Sequence, residues 1–231
     1  MSPRLYRHIS KNVQAVSLVL DIEARSLRDA IAKNNQDVEQ IRIRSYLLQL
    51  GAYAECRLLK LLNEPQAFLN DEIDKINLAP TQLEKWKRTV EVAFRKHYAV
   101  PAAALVVPHI SHTAESRYTT LLDILESDLD LAIRIRNKLA HGQWAYPLNA
   151  NCNAVDQDMF QLLSSLNALE LFLTRRLITS FLDIILDLVV SKPTFERDFD
   201  HHMNSIEMIR LQKSNRSYDL WKQRLVDRRA R

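Results

Sequence analysis

The sequence predicts an all-α fold: a helical bundle of five or six main helices, followed by a basic C-terminal helical extension. Three observations lead there. Only two of the 231 residues are glycine, against about 7% in an average soluble protein. Hydrophobic residues make up 47% of the chain, enough for a sizeable core. Apolar residues recur at helical spacing through long windows that end at prolines and turn-forming residues. Sandwiches and hairpin-rich sheets need glycine in their turns, and dinucleotide or P-loop phosphate cradles need closely spaced glycines. Neither Gly51 nor Gly142 stands in such a setting, so those nucleotide-binding architectures are excluded.

The first helical pattern runs over about 11–33, with Val16, Leu20, Leu27 and Ile31 among its apolar positions. A second covers 38–63 and ends before Pro65, because the residue preceding a proline is pushed out of helical geometry. Residues 64–79 read as a short helix or loop. Ala79-Pro80-Thr81 then precedes a helix over LEKWKRTVEVAFRKHY, with Glu84 in its first turn. The stretch 100–116 holds two prolines and little periodicity, and is predicted to be a loop. A helix over 115–140 follows and stops at Gly142. Residues 145–154 form a connector rich in turn formers. The most apolar helix is predicted as one element over 156–190, stopped by Pro193, with shorter helices over 194–212 and 216–229 closing the chain. The organisation is one bundle domain over 1–212 and a basic extension over 213–231.

The net charge is +4, unevenly spread. Between Lys213 and Arg231 stand seven Lys or Arg and two Asp. The tail therefore holds +5, and the first 212 residues are close to neutral. Such a tail is a solvated face or a phosphate-contacting one; Tyr218 and Trp221 within it favour an ordered, docked helix. The two cysteines, Cys56 and Cys152, form no CxxC pair, and no secretory pattern opens the chain, so a reduced cytoplasmic location is expected. The longest apolar run, LITSFLDIILDLVV, contains Asp183 and Asp187. It is too short and too charged for a span of about 20 residues, and no membrane role is expected.

The stretch IRIRNKLAHGQW, residues 133–144, breaks pattern twice. On a uniform helical wheel Arg136 falls inside the apolar arc, between Leu125 and Leu129, where an unpaired guanidinium would cost several kcal/mol. Glu55 does the same on the second helix, between Leu48, Leu59 and Leu62. One misplaced cation and one misplaced anion on neighbouring core helices would satisfy each other if they met. Asn137 and His141 are neighbours at i,i+4. Gly142 suits the left-handed residue that closes a helix. His141 then stands at the helix's negative end, where a histidine can exchange protons near neutral pH.

Arg136-Asn137-Lys138-Leu139-Ala140-His141 resembles the R-N-x-x-x-H form of the Arg-(four to six residues)-His motif of the HEPN superfamily. The resemblance covers roughly 38–190. It implies an all-α bundle with the motif at the end of a late helix and an inward acidic residue, here Glu55, on an earlier one. It also implies a metal-independent endoribonuclease without cofactor, of the kind found in toxin–antitoxin and antiviral defence systems. In that scheme His141 moves the proton of the RNA 2′-hydroxyl or of the leaving 5′-oxygen. Arg136 neutralises charge on the phosphoryl oxygens, Asn137 orients His141 or the phosphate, and Glu55 holds Arg136. One histidine does not easily serve as acid and base together, so a homodimer with a composite site is expected. Lys138, Arg224, Arg228 and Arg229 are weaker candidates for RNA contact, and an antitoxin or other regulatory protein is a possible partner. The same residues would also fit a non-catalytic helical module that binds nucleic acid or a protein, with Glu55 and Arg136 as a structural pair only.

Other signals carry less. His109 and His112 have a metal-ligand spacing but no carboxylate or cysteine nearby in sequence, and read as loop histidines. His201 and His202 are adjacent and face different ways. Cys56 reads as a small apolar residue within a helix.

Overall fold

The structure, a computed structural model, describes residues 3–101 and 104–230. Two residues of the predicted 100–116 loop, and the final arginine of the basic tail, lie outside that range. Among the described residues the chain is helical with no strand. The first two helices form an antiparallel hairpin. α1 (Pro3–Ala32) ends where Asn34 turns left-handed (φ 52°). Asn35 then opens α2 (Gln36–Leu62), its side chain accepting a hydrogen bond from the Val38 amide at 3.1 Å. Two asparagines thus stop one helix and start the next, because asparagine tolerates the left-handed region and caps well.

The short α3 (Asn70–Asn77) leads to α4 (Gln82–Tyr98). The Thr81 hydroxyl caps α4 by accepting from the Glu84 amide at 3.1 Å, and left-handed Ala99 ends it. A 3₁₀ turn over Val107–His109 precedes α5 (His112–Ile124), which Ser111 caps. That helix begins earlier than predicted, since a serine cap at 111 outweighs weak periodicity. A π turn over Leu125–Leu129 joins α5 without a break to α6 (Asp130–Ala140).

The predicted single helix over 156–190 is two: α7 (Gln157–Ser165) and α8 (Ala168–Val190). The break follows from Ser164, Ser165 and Asn167. Both serine hydroxyls bond back to carbonyls of the preceding turn, at 2.8 and 2.9 Å. Asn167 sits in extended geometry and caps α8 through the Glu170 amide at 3.0 Å. Side chains that compete for backbone partners end helices that apolar periodicity alone would continue. Pro193 also acts differently from expectation. Ser191 both ends α8 and caps α9 (Lys192–Asn215), and Pro193 lies in the first turn of α9, where no amide proton is needed. α10 (Tyr218–Arg229), capped by Ser217, closes the chain.

The core centres on α2 and α8. α2 packs against α1, α4, α6 and α8, and α8 packs against α2, α4 and α9. Trp86, Tyr46, Phe94 and Phe181 are fully buried. α10 docks back on α1 and α8, with Trp221 edge-on to Phe172 at 5.9 Å. Glu39 of α2, itself buried, accepts from the Tyr218 hydroxyl and pairs with Lys222 at 3.2 Å. Tyr218 and Trp221 therefore hold the tail as an ordered helix. No described helix is long and apolar enough to cross a membrane.

Candidate functional site

The motif lies at the end of the α5–α6 rod, against the middle of α2. Gly51 explains how closely these helices meet. A β-carbon on Gly51 would lie 2.3 Å from the Arg136 Cβ, 2.7 Å from its Cγ and 3.1 Å from the Ala132 carbonyl oxygen. The absent side chain is the space into which the Arg136 stem fits. Glu55, one turn along α2, then receives the guanidinium: Arg136 Nη2 donates to Glu55 Oε2 at 2.7 Å, and Nη1 donates to Asn137 Oδ1 at 3.0 Å.

The pair is less enclosed than a uniform wheel suggests, with about 30% of each side chain exposed. Two features account for this. The π turn accommodates one residue more than an α turn, so every later residue on the rod is offset around its axis. Arg136 consequently lies at the rim of the interface, and Ala140, one turn further on, is exposed. On α2, Leu59 is 50% exposed, so the arc holding Glu55 is an edge of the core.

His141 is the C-cap of α6 and is exposed; its backbone N–H donates to the Asn137 carbonyl at 3.2 Å. Gly142 follows with φ 78°, and the Gln143 amide closes back on the Lys138 carbonyl at 3.0 Å, the hydrogen-bond pattern of a left-handed helix stop. Among the described residues the His141 imidazole has no side-chain partner, so both ring nitrogens are open to a ligand. Below it lies a depression of about 670 Å3, lined by Asn137, His141, Gly142 and residues of the 143–152 connector, including Tyr146. Arg136 and Glu55 do not line this depression; Asn137 links the two parts.

Lys138, a candidate for RNA contact, is committed within the chain. Its ammonium group donates to the Leu148 carbonyl and pairs with Asp156 at 3.4 Å, pinning the connector. The tail arginines divide. Arg229 pairs with Asp29 of α1 at 2.9 Å, whereas Arg224 and Arg228 face solvent one turn apart. Cys56, half-buried, has its thiol pKa raised by burial and by neighbouring Glu55, the opposite of what activates a thiol nucleophile. Among the described residues no group of three or more His, Cys, Asp or Glu is placed to hold a metal ion.

Two residues with roles here escaped the sequence reading. Gly51 carries a local signal, its i,i+4 relation to Glu55, but its partner lies 85 positions away. Tyr146 is 61% exposed, and its ring stacks on Phe160 at 5.6 Å with an interplanar angle of 14°. A rigid, exposed aromatic at the lip of the His141 depression is a surface on which a planar base can lie. Its signal was a tyrosine within an otherwise turn-forming connector. Comparisons with known protein families, curated proteins and solved structures find no match to this chain.

Proposed function

We propose that the chain is a metal-independent endoribonuclease of the HEPN type, acting as a toxin or antiviral effector. The observation that supports this most is a guanidinium held by Glu55 at 2.7 Å and tied to Asn137, one helical turn from an unpartnered histidine. Arg136 and Asn137 contact the phosphoryl oxygens, and Tyr146 supports an adjacent base. His141 takes the 2′-hydroxyl proton as that oxygen attacks phosphorus; a second histidine protonates the departing 5′-oxygen. The products are a 2′,3′-cyclic phosphate and a 5′-hydroxyl. One chain offers one such histidine, so the second comes from a two-fold related copy, and an antitoxin or regulatory protein would restrain the dimer.

The test is to incubate the purified protein with labelled RNA in EDTA and identify the product ends by mass spectrometry. Cleavage should leave cyclic-phosphate ends, and His141→Ala should lower the rate by on the order of 10²–10⁴-fold with an unchanged melting temperature. Equal cleavage by the variant, or strict dependence on added Mg²⁺, would refute the reading. A second reading, a non-catalytic binding module, draws on the Gly51–Arg136 contact, which gives the arginine a packing role of its own. It predicts RNA or protein binding without cleavage, and unfolding by Arg136→Ala.

A further inference from the structure

A second concavity, between α1, α8 and α9, has no part in the scheme above. Its volume is about 890 Å3, and none of its lining residues is shared with the depression below His141. Its walls carry Arg25 and Arg28 of α1, Arg175 and Arg176 of α8, and His201 of α9, against a single carboxylate, Asp21. Asp21 is already engaged by Arg175 Nη1 at 2.6 Å. Among the described residues the other three arginines have no carboxylate partner. Arg28 lies over the Phe172 ring at 4.4 Å, Arg176 donates to the Gln212 amide oxygen at 3.2 Å, and Arg25 is exposed. Converging guanidinium groups in one hollow repel each other and attract an anion.

A second observation does not depend on net charge. Tyr46 of α2 lines the same hollow; its side chain is fully buried, and its hydroxyl, beside the Arg175 guanidinium, meets no acceptor for its own proton within the described chain. Buried hydroxyls in folded proteins are nearly always satisfied. The charged groups around it are Arg175, Arg28 and Asp21. Arginine has donors only, so neither guanidinium can receive the phenolic proton. What the arrangement lacks is a negatively charged oxygen acceptor between the hydroxyl and the guanidiniums.

We propose that this hollow binds a small phosphorylated ligand of nucleotide size, with its phosphate held by Arg25, Arg28 and Arg175 and hydrogen-bonded by the Tyr46 hydroxyl. Planar guanidinium forks suit phosphate oxygens in pairs. The volume lies within the range of about 300–1,000 Å3 typical of small-ligand sites. Phe172, Met208 and Ile209 supply apolar wall for the rest of the ligand. A nucleic-acid backbone would call for cations strung along a track, whereas these converge on one hollow. The proposal stands independently of the ribonuclease reading.

The experiment is calorimetric titration of the full chain with inorganic phosphate, pyrophosphate, nucleoside mono- and triphosphates, the phosphate-free nucleosides, and a short single-stranded RNA. Saturable one-to-one binding of pyrophosphate or a nucleotide is expected, with none of the nucleosides. Tyr46→Phe should weaken that binding about tenfold or more, the effect of losing one hydrogen bond to a charged group. It should stay folded, because the phenyl ring keeps the buried packing of Tyr46. Arg28→Ala should weaken binding as well, and His141→Ala should titrate as wild type. The proposal is overturned if no phosphorylated small ligand binds at millimolar concentration. It is equally overturned if Tyr46→Phe, still folded, binds unchanged, or if only the RNA binds.

Discussion

Gly51 and Gly142 should respond to alanine in different ways. At Gly51 a methyl group meets the base of the Arg136 side chain at 2.3 Å, and that base cannot swing aside as a side-chain tip could. Gly51→Ala must push α6 away from α2. Expected is a stability loss of about 1–3 kcal/mol, the usual range for overpacking, together with loss of the proposed RNA cleavage. Gly142 has open space around it but φ 78°. Gly142→Ala should cost about 1–2 kcal/mol through backbone strain alone and leave the Glu55–Arg136 pair in place. Denaturant melts of both variants, read beside RNA cleavage, separate the two cases. The Arg136–Glu55 contact itself was legible from local pattern, since each residue breaks an apolar arc. Gly51 was not, because its role exists only against a helix far along the chain.

At the scale of the elements, the end of α4 carries a pH response. His97 is half-buried against α8, and burial lowers its pKa, with Lys96 and Lys192 adding repulsion. The nearby backbone of Leu188 and Val189 pulls the other way without prevailing. The folded state therefore holds the ring neutral where the unfolded chain, at about 6.5, takes up a proton. This contribution to stability is complete above that value and is lost as the pH falls through the lower folded value. His97→Gln should flatten the fall in melting temperature between pH 7.5 and pH 5. Caps made most elements readable: Thr81, Ser111, Asn35 and Ser217 each begin a helix where a side-chain acceptor meets free amides. The division at Ser164–Asn167 was not readable by apolar period, because α7 and α8 are both apolar and only the competing hydroxyl and amide groups separate them.

Taken as a whole, the molecule presents its catalytic candidates at one end of a single rod, and the proposed chemistry needs two such ends. Mixing wild-type with excess His141→Ala protein, after mild dissociation and reassociation, should depress cleavage below the share of wild-type chains, because a hybrid dimer holds one histidine where the proposed chemistry needs two. Cleavage in simple proportion to the wild-type chains, or a monomer in light scattering at working concentration, would remove the composite site. All-helical architecture was legible from glycine scarcity and periodicity. The docking of the tail was anticipated only through Tyr218 and Trp221, since its anchor, Glu39, looked like an ordinary surface anion. The bulge at Leu125–Leu129 also sets how the candidate residues face. Removing one residue there would restore even winding and leave everything downstream facing as it does, because the bulge holds one residue more than an α turn. Arg136 would keep its groove and His141 its aim, although the chain would be one residue shorter. Such a shortened protein should stay helical by circular dichroism and keep the proposed RNA cleavage, whereas removing one residue from α6 before Arg136 should abolish it. The spacing of the motif is thus only half of its address; the other half is written two turns upstream.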